Sequence, residues 1–216
     1  MSNITEIQNT FNQNSYVVVK GVVDKTTINL FYSYTLKKIN RNLYKLKHNP
    51  ELYSPKYDMT FGDKECGWNS LNFYGDEFCE TILEALHPTM QQYTGLELIP
   101  EYGYLRLYQK DDTLPYHSDR PSCEISTTLC VGYQSEKNWP IWLENKNREK
   151  EPVNLEPGDM LIYKGCDLFH WREKYEGEHH LQAFLHYNDK NGPYGDNLYD
   201  GRENLGLPNS KIKEIK

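Results

Sequence analysis

Several absences narrow the class of this chain. No stretch approaches the roughly eighteen consecutive apolar residues of a membrane-spanning helix. The opening MSNITEIQNTFNQNS has neither the charged-then-apolar pattern of a secretory leader nor an Arg-rich amphipathic one. A soluble, intracellular protein without membrane association is expected. Basic residues are in the minority, 24 Lys and Arg against 31 Asp and Glu for a formal charge of -7, so the broad electropositive footprint of a nucleic-acid-binding domain is missing. A local basic groove stays open. The five cysteines, Cys66, Cys79, Cys123, Cys130 and Cys166, are odd in number and never form Cys-x-x-Cys. This argues against a disulfide framework or a cysteine zinc site and for free, buried thiols. No internal repeat is present.

What is present reads as one domain, since 216 residues suffice for one substantial core with helices packed on it. The run SYVVVKGVV is a short β-branched strand, and Asp24 after it is a suitable N-cap. Ile28, Phe31, Tyr32, Leu36, Ile39 and Leu43 then recur at helical spacing. HNPELYSPKYDMTFGDKECGWNS is loop-like and suited to folding over a pocket mouth. A second helix is predicted from about Asp76 to Tyr93, with Gly95 as its stop.

After Pro100 the period changes to two. Tyr102, Tyr104, Arg106 and Tyr108 alternate with Gly103, Leu105 and Leu107, and Ile125, Thr127, Leu129, Val131 and Tyr133 alternate with Ser126, Thr128, Cys130 and Gly132. Short strands follow at PIWLE, DMLIYKG and HLQAFLHY, separated by turns such as EPGD. The eighteen tyrosines concentrate in these strand-like segments and suit pleated, half-buried surfaces. Helices followed by regularly spaced strands predict a mainly β (α+β) fold, an antiparallel jelly roll or barrel. The helical part covers about residues 1–98, the jelly-roll core about 99–190, and an irregular tail follows.

Within this frame, LPYHSDRPS holds His117 and Asp119 one residue apart. On extended backbone that spacing sends both side chains to the same side. Two imidazoles and one carboxylate on one face of an octahedral Fe(II) leave three positions for a chelating cosubstrate and O2. The third ligand then comes from another strand, and His170, His179, His180 and His186 are the downstream candidates. His170 stands at the end of the segment launched by the Pro-Gly-Asp turn; His180 and His186 share a strand face with Gln182 and Phe184. The bland alternatives are a loop histidine at 117, an Asp119 paired with Arg120, and a satisfied core histidine at 170.

The order YLRLYQKDDTLPYHSDRPSCEISTTLCVGY, WPIWLE, LEPGDMLIYKGCDLFHWRE and HHLQAFLHY resembles the prolyl-4-hydroxylase-like branch of the 2-oxoglutarate and Fe(II) dependent dioxygenases, in its compact bacterial and phage form. The resemblance runs from Tyr102 to Tyr187, about half the chain. It implies a double-stranded β-helix, with His117, Asp119 and His170 as iron ligands. It also implies that Tyr108 and Tyr133 reach 2-oxoglutarate, although aromatic core packing is the ordinary role of such tyrosines.

One departure stands out. The family carries an Arg or Lys about ten residues after the second histidine to hold the distal carboxylate of 2-oxoglutarate; here EGEHHLQ offers His179, His180 and Gln182. A buried dicarboxylate without a cation is costly. The charge comes from a protonated His180, from Arg172 just beyond the ligand, or from Arg106 on the face of Tyr108. The expected activity is oxygenation of a C–H bond in a peptide or small-molecule substrate, with Fe(II) as cofactor and 2-oxoglutarate and O2 as cosubstrates giving succinate and CO2. Two competing readings are a cupin-like binding module without oxygenase activity and a nucleic-acid demethylase, the latter disfavoured by the acidic charge.

Overall fold

The computed structural model describes residues 3–63 and 67–208. Three helices precede the main run of strands: α1 (Ile4–Asn14), α2 (Lys25–His48) and α3 (Glu77–Thr94). Asp24 caps α2 as expected, its carboxylate accepting from the Thr26 and Thr27 amides at 2.9 and 3.1 Å. Lys45, Lys47 and His48 complement the dipole at its other end. Asp76 caps α3 by accepting from the Cys79 amide, and Gly95, at φ +75°, closes it in the left-handed conformation that favours glycine. The sequence reading did not anticipate α1. Only Ile7 and Phe11, four residues apart, are buried from this polar segment, too few to give a periodic signal.

The strands are β1 (Tyr16–Val19), β2 (Thr60–Asp63), β3 (Gly67–Tyr74), β4 (Leu98–Gln109), β5 (Leu114–His117), β6 (Ile125–Gln134), β7 (Ile141–Glu144), β8 (Lys150–Val153), β9 (Met160–Lys164), β10 (His170–Arg172) and β11 (His179–Asp189). They pair antiparallel into a seven-stranded sheet, β1-β9-β6-β11-β4-β3-β2, and a four-stranded sheet, β5-β10-β7-β8. This is the predicted jelly roll, a double-stranded β-helix. Alternation decides which residues face which layer. Leu181, Ala183 and Leu185 of β11 join Leu105, Leu129, Phe11, Phe31 and Leu83 in the core beneath the helices. Their neighbours His180, Gln182, Phe184 and His186 face the space between the sheets. A second apolar cluster there joins Ile141 and Leu143 to Leu161, Tyr163 and Leu168.

The loop expected between residues 48 and 70 contains β2 and the start of β3 instead. β3 pairs with β4 from Leu71↔Leu107 to Tyr74↔Tyr104. Its Leu71 and Phe73 alternate toward the helices, but Pro and Gly before them obscured so short a pattern. Cys66 lies outside the described residues. Cys79, Cys123 and Cys130 are buried free thiols, and Cys166 is half-buried.

Strict alternation also misplaces Tyr133. The β6–β11 register jumps from Leu181↔Gly132 to Gln182↔Cys130, leaving Val131 without a counterpart. This bulge flips the faces, so Tyr133 sits opposite His180, between the sheets and away from the helix-side face of Leu129. The tail after β11 docks through one turn, Tyr199–Gly201. Asp200 binds Arg120 with both oxygens at 2.6 and 2.8 Å, and Arg202 binds buried Glu80 at 2.7 Å. No helix among the described residues is long and apolar enough to cross a membrane.

Candidate metal centre and its cavity

β5 and β10 lie side by side with His117 directly opposite His170. Their rings stand 4.3 Å apart between centroids. Each Nδ1 lies near the carbonyl two residues earlier on its own strand, His117 at 2.7 Å from Pro115 O and His170 at 3.1 Å from Leu168 O. Only a protonated Nδ1 satisfies that contact, which turns each Nε2, the ring atom able to bind a metal, toward Asp119. Both Nε2 atoms lie 3.6 Å from the same atom, Asp119 Oδ1. Cis donors bound at about 2.1 Å are about 3.0 Å apart, so a closing movement of about 0.6 Å brings the three onto one divalent ion.

Backbone contacts fix the carboxylate. The Asp119 amide donates to Gly165 O at 2.8 Å, and a Cβ on residue 165 would stand 2.3 Å from Asp119 Oδ2. Glycine is required there by close approach. Burial alone would raise the Asp119 carboxyl, but hydrogen bonding to His117 and the neighbouring His170 and His186 rings outweigh it and hold it at about 2. Burial lowers the fully enclosed His170 below its usual range, keeping its imidazole neutral. Two imidazoles and one carboxylate suit Fe(II) or another first-row divalent ion.

The triad opens on a cavity of about 480 Å³ walled by Tyr102, Tyr104, Arg106, Arg120, Tyr163 and Phe184. Along the strands, the rows of paired residues are Tyr102–His186–Ser126, Tyr104–Phe184–Thr128, Arg106–Gln182–Cys130 and Tyr108–His180–Tyr133. The last row is the far end, the most distant along the strands from His186 and Ser126. There Tyr133 stacks on His180 at 5.1 Å and 6°, and Trp139 packs edge-on against both Tyr108 and His180.

Arg172 of β10 joins this far end, two residues after His170 and therefore on the same strand face. Its side chain is buried, its guanidinium lies 4.6 Å over the Trp139 ring, and Nη1 donates to Trp139 O at 2.6 Å. No carboxylate pairs with it among the described residues, and Nε has no hydrogen-bond partner. Glu173 instead accepts from Trp171, and Glu176 pairs with Lys137. Burial and then the Arg172 charge push His180 well below its ordinary value, so its ring is neutral. Arg106 donates through Nε to Asn72 at 2.8 Å and lies over the Tyr104 and Tyr108 rings, nearer the cavity. The Tyr133 hydroxyl turns outward to Glu156 at 2.7 Å.

The structure thus brings His117, Asp119 and His170 together at one point. Tyr108, Tyr133, His180 and Arg172 gather at the far end around Trp139, with Arg106 between the two groups. Sequence reading did not single out Tyr163, Ser126 or Gly165. Tyr163 Oη lies 3.5 Å from His170 Nε2, and Ser126 Oγ lies 2.8 Å from Asp119 Oδ2. Period two marks Ser126 as sharing the inward face of β6, but nothing local distinguishes it from Thr128.

No family model and no curated protein matches the chain in sequence. Solved structures do match in fold. A prolyl-4-hydroxylase from Pseudomonas putida is similar at TM-score 0.64 and 11% identity, over 87% of this chain and 99% of that one. The non-heme α-ketoglutarate dependent epimerase SnoN of nogalamycin biosynthesis gives 0.66 and 12%, over 98% and 97%. HygX from Streptomyces hygroscopicus, solved with nickel, 2-oxoglutarate and hygromycin B, gives 0.62 and 13%, over 86% and 87%. The chain therefore has the double-stranded β-helix of the 2-oxoglutarate/Fe(II) oxygenases. Within that class its fold is similar to the prolyl-4-hydroxylase over nearly all of the latter's length.

Proposed function

We propose that the protein is an Fe(II)- and 2-oxoglutarate-dependent oxygenase, with residues 1–216 forming one such domain. The observation that carries this reading is the convergence of the Nε2 atoms of His117 and His170 on Asp119 Oδ1, each at 3.6 Å. His117, Asp119 and His170 would hold the iron. With Fe(II), 2-oxoglutarate and O2 bound, the centre supplies oxidation of a substrate C–H bond while 2-oxoglutarate and O2 become succinate and CO2.

The protein's own contribution is positioning. Arg172 is a buried cation lacking an anion among the described residues, and a dicarboxylate reaching inward from the metal would supply one. Its planar guanidinium suits a carboxylate better than neutral His180 does. Tyr108 and His180 flank that position, Tyr133 and Trp139 wall it against water, and Arg106 lies along the path to it. The outer cavity, walled by Tyr102, Tyr104 and Phe184, suits a small molecule or a peptide side chain.

Anaerobic titration with Fe(II), with and without 2-oxoglutarate, tests the reading through the metal-to-ligand charge-transfer band. The band is expected with wild type and absent in His170→Ala. No band with wild type, or an undiminished one in the variant, rejects the proposal and favours a binding module of the same fold.

A further inference from the structure

Behind Asp119 stands a hydrogen-bonded chain that metal ligation does not use. Ser126 Oγ lies 2.8 Å from Asp119 Oδ2, 2.9 Å from Cys123 O and 2.9 Å from His186 Nδ1. A serine hydroxyl has one proton to give. The carboxylate and the carbonyl can only accept, and the single proton goes to the anionic carboxylate in preference to the neutral carbonyl. If it went to His186 instead, the oxygen lone pairs of Ser126 and Asp119 would face each other at 2.8 Å. His186 must therefore be the donor, with its proton on Nδ1. The ring is buried, lies 4.4 Å from the Tyr102 ring, and comes from β11, which the metal ligands do not use.

We infer that His186 and Ser126 form a positioning relay for Asp119. His186 Nδ1–H donates to Ser126 Oγ, which directs the hydroxyl proton to Asp119 Oδ2 and leaves Oδ1 alone to face the two Nε2 atoms. The physical consequence is a carboxylate held to one metal bond. A carboxylate free to rotate would chelate with both oxygens and take a coordination position that a cosubstrate needs. Gly165 belongs to the same device, because a Cβ there would press on Asp119 Oδ2 at 2.3 Å and on Ser126 Oγ at 2.8 Å. Both relay residues act through Asp119, and His186 also lines the cavity beside the triad. The inference uses the metal position of the proposed function but not its cosubstrate.

The test combines a spectroscopic readout with metal binding. In ¹⁵N-histidine NMR of the full chain, His186 is expected as the neutral Nδ1–H tautomer, the less common form in solution. Cobalt(II) affinity, read by its visible spectrum, is expected to fall about 10- to 100-fold in Ser126→Ala and in His186→Phe. His186→Asn, which restores an N–H near the place of Nδ1, is expected to recover most of the loss. An Nε2–H tautomer, or wild-type affinity in both Ser126→Ala and His186→Phe, overturns the relay. Because the tautomer is read on the unaltered protein, a variant that fails to fold does not remove the test. Cobalt binding without any response to 2-oxoglutarate would reject the oxygenase reading and leave the relay standing.

Discussion

Replacing Arg172 with methionine should move two measurements in opposite directions. In the metal-free protein this guanidinium is buried and has no carboxylate partner among the described residues. Desolvation of such a charge costs several kcal/mol. Two contacts offset that cost: the hydrogen bond to Trp139 O, worth about 1.5–3 kcal/mol for a charged donor, and the ring beneath it, worth about 2 kcal/mol when desolvated. These terms nearly cancel, so Arg172→Met should leave metal-free stability within about 1 kcal/mol of wild type or raise it. The same change should weaken 2-oxoglutarate binding by about 3 kcal/mol, roughly 100-fold in Kd, because a charge-assisted partner is lost. Urea unfolding of the metal-free protein gives the first quantity, and 2-oxoglutarate titration of the anaerobic Fe(II) form gives the second. A variant destabilised by more than about 2 kcal/mol with 2-oxoglutarate affinity within twofold of wild type would refute the reasoning. It would show that Arg172 serves the fold and not the ligand. Arg172→Lys should fall between, since a point charge cannot reproduce the two-pronged geometry.

Gly165→Ala places a methyl 2.3 Å from Asp119 Oδ2 and from Cys123 O, and should lower Mn(II) affinity at least about tenfold by electron paramagnetic resonance; unchanged affinity would contradict the close approach. Burial holds His186 at about 4, below the 6.5 of an unfolded histidine, so the unfolded chain takes up the extra proton as pH falls. Its stabilising contribution is therefore complete above pH 6.5 and lost on acidification toward 4, by about 3 kcal/mol. The pH slope of urea unfolding over that window should flatten in metal-free His186→Phe. Asp200→Asn removes a carboxylate that binds half-exposed Arg120 with both oxygens and accepts from Tyr74 at 2.7 Å. A loss of about 1–2 kcal/mol is expected, between the values for surface and buried pairs, with faster amide exchange in residues 198–206.

How far the site was legible in the sequence depends on how local each cause is. Asp24, Asp76 and Gly95 are helix boundaries set by neighbouring residues, and all three act where the sequence puts them. His117 and Asp119 share a direction because they alternate on extended chain, and Arg172 follows His170 by the same rule. Tyr133 fails that rule through one extra residue, Val131. A bulge arises from how β6 meets β11, and no residue within β6 announces it. The entry of β3 into the main sheet is likewise a property of its partner β4.

The choice among His170, His180 and His186 shows the same division most sharply. Alternation along β11 correctly sends His180 and His186 inward together with Gln182 and Phe184, so direction could not separate them from a ligand. Distance along the strand does separate them. Opposite Tyr108, His180 lies at the far end against Trp139; opposite Tyr102, His186 is joined to Asp119 through Ser126. His170 alone lies beside His117, because β10 pairs with β5 in that register. Each imidazole's chemistry thus follows from cross-strand register, a long-range quantity. Two histidines three rows apart on one inward face become a proton donor in a relay and a neutral wall, although their sequence surroundings differ little from those of a ligand.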